Sequence, residues 1–338
     1  MRFWGPLIAL SLSFSSPTSA QSFDPKTIYQ KTSKAVVLIA AFERGGEGAS
    51  SGTGSIIQED GLVLTNAHVI FNPDRNTTFS EIIIFLKPDT VTGNLKNDTS
   101  RKFRASLVRY SNPLDLALLR IHKTQSKSNL PFLELSNLQE TSIGDPVLAI
   151  GHPEQGGLWT LTTGTISSLI ENFGDIQGKD VFQTETSINR GNSGGPLIDR
   201  YGDIVGINSM IARKGEGGVT ITDINFSIKS TVAIKWMNSV GHAFNYATPK
   251  TTPNSETDSI TDNVGIVPVP KQNKVQPKKQ SAPKQDSLKP KEKNKPKARM
   301  EPEILTERRP YKTQDLFQQV EDEMEDMMEE MKGRIRSR

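Results

Sequence analysis

One serine, one histidine and one aspartate in this 338-residue chain stand in surroundings that suit acyl transfer. Ser193 lies in Gly191-Asn192-Ser193-Gly194-Gly195-Pro196, a glycine-rich turn whose backbone can also cradle an anion. A serine hydroxyl is a weak nucleophile at neutral pH, so it needs a base to take its proton and a carboxylate to orient that base. Thr65-Asn66-Ala67-His68-Val69 supplies the imidazole, and Asp115 supplies a carboxylate at the mouth of the apolar run Leu116-Ala117-Leu118-Leu119. Each has an ordinary reading when taken singly: a turn serine, a strand-end histidine, a strand-capping aspartate. Their joint occurrence points to a nucleophile, a base and an orienter. His122 and His152 have no motif around them and are read as structural.

Three side chains so far apart in sequence need rigid supports. Between about residues 33 and 229 short strand signals alternate with turn residues, as in an all-β barrel or sandwich. The first six signals fall at 35–42, 53–58, 62–65, 82–86, 103–110 and 117–121. A second six fall at 147–150, 159–170, 181–184, 196–198, 204–210 and 225–228, after a loop-like stretch at 123–139. Asp199-Arg200-Tyr201-Gly202-Asp203 has hairpin-turn chemistry. Ser230 is expected to cap a short helix whose Val232, Ala233, Trp236, Met237 and Val240 recur at helical spacing. His68 and Asp115 belong to the first group and Ser193 to the second, so the site is expected across the seam, with a substrate groove between two scaffolds.

Composition limits the alternatives. Only 34% of the residues are hydrophobic, and they thin out after about residue 245, so the core must be built upstream. Residues 1–20 read as an export signal, with Arg2, an apolar stretch from Phe3 to Leu12 and a small-residue exit at Ala20. No later segment is apolar enough to span a bilayer. The absence of cysteine excludes disulfides and thiol chemistry, which suits a bacterial periplasmic or secreted protein. The four histidines show no pairing at metal-ligand spacing, so no metal and no cofactor are expected.

The tail has two parts. Residues 244–310 are rich in Pro, Lys, Gln, Asn, Ser and Thr and carry too little apolar surface to offset chain entropy; a disordered linker is expected. Its basic stretch, 271–299, is a solvated spacer by default, with no nucleic-acid partner expected. Residues 311–338 form an acidic amphipathic pattern, with Leu316, Phe317, Val320, Met324, Met327, Met328, Met331 and Ile335 spaced by three and four. Self-association as a coiled coil, docking on a helix partner, and folding back on the chain's own body stay open.

The motifs around His68 and Asp115, together with Gln183-Thr184-Glu185-Thr186-Ser187-Ile188-Asn189-Arg190-Gly191-Asn192-Ser193-Gly194-Gly195-Pro196-Leu197, resemble the protease domain of the HtrA/DegP family. Gly206-Ile207-Asn208 and Asn225-Phe226-Ser227-Ile228 are similar to later motifs of that family, and the resemblance covers about residues 25–243. It implies a chymotrypsin-like pair of six-stranded antiparallel β-barrels, roughly 25–122 and 140–230, within a protease domain at 21–243. It also implies a serine endopeptidase acting on protein or peptide substrates, with the chain order His, Asp, Ser. By the same resemblance His68, Asp115 and Ser193 are the triad, and the N–H groups of Gly191 and Ser193 form the oxyanion hole. Ser187 would lie at the base of the specificity pocket, walled by Ile207, Asn208, Ser209 and Phe226. With no acid at 187 and no histidine in the walls, the pocket is expected to take a small or medium aliphatic side chain. Asn192 stands where activated trypsins have an aspartate, so no zymogen cleavage of that type is expected. Family members usually continue into PDZ domains, a pattern the tail does not show, and many assemble, which leaves a homo-oligomer open. A non-proteolytic chaperone or adaptor is the alternative reading.

Overall fold

Strand β1 (Val36–Phe42) is buried along its whole length, an arrangement that requires cover on both of its faces. The computed structural model describes residues 22–44, 48–122, 129–154, 156–209, 224–248 and 316–319. The expected leader at 1–20, most of the linker at 244–310 and most of the terminal helix at 311–338 lie outside them.

Helix α1 (Pro25–Thr32) precedes β1 and is followed by β2 (Ala49–Ile56), β3 (Leu62–Thr65) and the short helix α2 (Ala67–Ile70). A small hairpin, β4 (Phe71–Asn72) with β5 (Thr77–Thr78), leads to β6 (Glu81–Leu86), α3 (Leu95–Asp98), β7 (Lys102–Ser111) and β8 (Leu116–Ile121). The order β1-β2-β3-β8-β7-β6 closes into a barrel. The later strands are β9 (Pro146–Gly151), β10 (Thr160–Ile170), β11 (Val181–Thr184), β12 (Pro196–Ile198), β13 (Ile204–Ser209) and β14 (Asn225–Lys229), before helix α4 (Ser230–Ser239). They close as β10-β11-β14-β13-β12-β9, and all the pairings in both barrels are antiparallel.

The twelve expected strands are all present, with ends displaced by a few residues at most. Alternation located them because one face of each strand fills a barrel interior: Val37, Ile39 and Ala41 of β1 join Leu64, Ile84, Leu118 and others in one continuous core. The stretch 129–136 is more than a loop. Leu133 and Leu135 are buried, Leu133 N–H donates to Ile56 O at 2.9 Å, and Ile204 N–H donates to Glu134 O at 2.8 Å, so this stretch straps one barrel to the other.

Four details differ from the sequence expectation. Helix α1 was not anticipated, although Asp24 caps it through Lys26 N–H and Pro25 opens it, a recognisable start signal. The side chain of Ser230 does not cap α4; its Oγ donates to Ser136 O at 2.7 Å, and Lys229 holds the cap position without a side-chain bond. Ile234 joins Val232, Ala233, Trp236 and Met237 in the buried face of that helix. The barrel-packed chain also runs past residue 244, since Ala247 is buried and its N–H donates to Leu135 O at 2.7 Å.

Candidate active site

Asp115 closes the turn into β8 with a left-handed backbone, φ 57°, which a short polar side chain tolerates better than most. Asn66 Nδ2 holds its carbonyl at 2.8 Å. That bond ties the turn before α2 to the turn before β8, and so sets the histidine over the carboxylate. His68 Nδ1 lies 2.9 Å from Asp115 Oδ1 and 3.0 Å from Oδ2, and the His68 backbone N–H donates to Oδ1 at 3.1 Å. A further donor comes from the second barrel, where Ser209 Oγ bonds Oδ2 at 2.8 Å. Burial alone would push the Asp115 carboxyl up, but the ring bond and charge of His68, its N–H and the Ser209 hydroxyl outweigh burial and hold it below the usual value. An ionised acceptor at Nδ1 places the ring proton there and leaves the Nε2 lone pair outward.

Ser193 precedes β12 and is 3% exposed. Among the described residues no hydrogen bond joins its Oγ to His68; its carbonyl is bonded to β2 of the first barrel, and Gly194 beside it is held by β13 of the second. Thr53 N–H donates to Ser193 O at 2.8 Å and Gly194 N–H to Asn208 O at 2.7 Å. Gly194 has φ 82°, and a Cβ there would stand 2.1 Å from Thr65 Oγ1 and 2.9 Å from Asn66 N. Only a glycine lets the turn that carries Ser193 approach the segment that carries His68.

The same turn separates its amides into two sets. Asn192 N–H donates to Asn189 O at 3.0 Å, Gly194 N–H to Asn208 O, and Gly195 N–H to Asn192 O at 3.1 Å. The N–H groups of Gly191 and Ser193 meet no protein acceptor among the described residues. The carbonyls beside them are held elsewhere: Arg190 O accepts from Glu154 N–H at 2.9 Å, and Gly191 O accepts from Thr53 Oγ1 at 2.6 Å. Two amides within a pinned loop are thus left without a protein acceptor among the described residues.

His152 supports that pinning, a role its sequence surroundings did not signal. Its Nδ1 lies 2.9 Å from Thr53 Oγ1, whose proton goes to Gly191 O, so Nδ1 must carry the hydrogen. Nε2 is buried without a partner, and the ring stands edge-on to Trp159 at 4.8 Å between centroids. Burial pushes the imidazole down from 6.5 to about 3. The unfolded chain therefore takes the proton first as pH falls. Stability from the neutral ring is complete above 6.5 and is lost progressively from there toward 3. Between pH 7 and 5 the native chain is expected to lose about 2 kcal/mol of unfolding free energy through this group, and His152→Asn should remove that part of the slope. Urea unfolding of both proteins at pH 7, 6 and 5 checks it; parallel slopes would show that the ring is not held neutral.

The five residues expected at the specificity pocket divide. Ser187 is exposed and Phe226, against Phe173 at 4.6 Å, is partly exposed. Ile207 is buried in the main core. The Asn208 amide is occupied inside the second barrel, donating to Pro196 O at 3.0 Å and accepting from Ser227 Oγ at 2.8 Å. Ser209 directs its hydroxyl to Asp115, a contact that sequence spacing could not distinguish from a wall position.

Comparisons with known proteins find similarity to serine proteases. The trypsin-like peptidase domain family matches residues 52–207. Serine endoprotease DegS of Haemophilus influenzae is 36% identical over 184 residues, covering 54% of this chain and 47% of that protein. A probable periplasmic serine endoprotease, DegP-like, of Hahella chejuensis is 33% identical over 192 residues, covering 57% of this chain and 36% of its own. The solved structure of the HtrA-type protease AlgW with a tripeptide superposes with a TM-score of 0.52 at 30% identity, covering 64% of this chain and 63% of that one. The chain thus spans about half the length, or less, of these curated relatives.

Proposed function

We propose, from the similarity to the trypsin-like peptidase domain family and to HtrA-type proteases, a serine endopeptidase that cleaves unfolded protein segments through an acyl-enzyme. The observation that supports it most is the pairing of two features at one seam: a proton-oriented imidazole on Asp115, and a serine whose own N–H and that of Gly191 are left unspent.

Ser193 Oγ attacks the scissile carbonyl carbon while its proton passes to His68 Nε2. The carbonyl oxygen gains the negative charge and takes hydrogen bonds from Gly191 and Ser193 N–H, each such donor being worth about 2.7–4 kcal/mol in a comparable site. His68 then gives the proton to the departing amine, leaving an ester on Ser193. Water, deprotonated by the same imidazole, releases the acid and restores the serine. The serine–histidine bond absent from the free protein forms as substrate enters, since such contacts tighten in the substrate complex. Similarity to peptidases favours hydrolysis over a binding role without it.

The cleft should receive a small or medium aliphatic residue before the cut, because no charged group lines it among Ser187, Ser209 and Phe226. The signal-like pattern at residues 1–20, together with similarity to the probable periplasmic endoprotease of Hahella chejuensis, supports action outside the cytoplasm. Exposure to a fluorophosphonate probe should label Ser193 in the native protein and fail to label it in His68→Ala. Equal labelling in both would overturn the reading.

A further inference from the structure

The exterior of the first barrel is apolar where a barrel exterior ordinarily meets water. On β1, Leu38, Ala40 and Phe42 alternate with the interior residues and gather with Ile83 and Phe85 of β6 into a cluster apart from the main core. Register explains the patch: Leu38 stands opposite Phe85 and Ala40 opposite Ile83, and opposed residues share a face. All five are at most 5% exposed. Their cover comes in part from the far end of the chain. Leu316, 4% exposed, lies within the cluster, Phe317 packs against it, and Gln319 Nε2 donates to Thr99 Oγ1 at 3.4 Å. Residues 316–319 form a helical turn and belong to the same compact unit as the barrels.

We infer that this wall is a docking site for the chain's own C-terminal segment, seated in cis with Leu316 and Phe317 as its apolar anchors. Charge agrees with the placement. The register of β7 puts Lys102 opposite Phe85 and Arg104 opposite Ile83, so cations border the apolar stripe on the same face. The anchors are followed by Glu321, Asp322, Glu323, Glu325 and Asp326, with no Lys or Arg between Thr313 and Met331. An apolar stripe edged with cations fits a segment whose apolar anchors lead into acids. The residues joining Ala247 to Leu316 are ample to reach the wall from the same polypeptide. Any second copy or foreign helix must displace Leu316 before it can use this surface.

The absence of cysteine makes the test direct. Ala40→Cys in the full chain places one thiol in the cluster that Leu316 joins, and its rate of reaction with a maleimide reports how often the wall is uncovered. Adding Leu316→Glu and Phe317→Glu should raise that rate by about tenfold. Lys102→Glu with Arg104→Glu should raise it by about threefold at low salt and by less at high salt. Equal rates with native and altered anchors would overturn the docking. Protection that grows with protein concentration would overturn seating in cis and give the wall to a second copy. If Ala40→Cys does not fold, the chain without cysteine serves: the Leu316→Glu, Phe317→Glu variant should bind an apolar fluorescent dye more strongly than the native chain, and unchanged binding would overturn the inference.

Discussion

Ser193→Ala should leave the barrels folded and lower kcat for a peptide substrate by about a millionfold. The expected loss is large because in the proposed mechanism the hydroxyl forms the covalent intermediate; without it, neither the proposed base nor the proposed anion cradle has an acyl-enzyme to act on. Folding should be spared because the loop is held by its backbone. Thr53 N–H bonds Ser193 O, Gly194 N–H bonds Asn208 O, and Thr53 Oγ1 bonds Gly191 O, while Ser193 Oγ makes no hydrogen bond among the described residues. Unfolding free energy is expected within about 0.5 kcal/mol of the native value. Turnover of casein and of a chromogenic peptide, followed beside urea unfolding, reads both quantities. A variant that keeps a tenth of native activity would remove Ser193 from the chemistry.

The barrels were legible because period-two patterning is a property of short stretches, and twelve such stretches survive in the structure within a few residues of their expected ends. Ser193 and His68 were singled out as candidates for a different reason, since each stands in a local motif. What escaped depends on contacts between stretches distant in sequence. His152 reaches Gly191 only through Thr53, which lies 99 residues before it. Ser209 meets Asp115 across 94 residues, and its neighbours in β13 gave no sign of which way its hydroxyl turns. Leu316 belonged to an amphipathic pattern that left its partner open; the wall it covers exists only once β1 and β6 are paired in register. Spacing announces an apolar face but not the surface that will receive it.

Asp115→Asn is expected to lower kcat by about ten thousandfold with little change in KM. The carboxylate accepts three donors at once: the His68 ring N–H, the His68 backbone N–H and the Ser209 hydroxyl. An amide of the same shape offers one oxygen and one NH2 group. If the oxygen takes the place of Oδ1 and keeps the backbone N–H, the NH2 takes the place of Oδ2, facing the Ser209 hydroxyl and 3.0 Å from Nδ1; where Nδ1 accepts from it, the ring proton moves to Nε2. In that tautomer the imidazole offers Ser193 a donor where the reaction needs a lone pair. KM should hold because Asp115 lies behind the imidazole, away from the cleft. Stability should carry a signature of its own. The native carboxyl is held below its usual value, so its contribution is present above the ordinary carboxylate range and is lost as pH falls through the depressed folded value. The Asn variant lacks that contribution at neutral pH, and its stability should approach that of the native chain under acid. Steady-state kinetics at pH 8 and urea unfolding from pH 7 to pH 3 test both halves. A kcat loss under tenfold would mean that the imidazole finds its tautomer without Asp115, and the aspartate would then have to be regarded as a packing residue of the β8 turn.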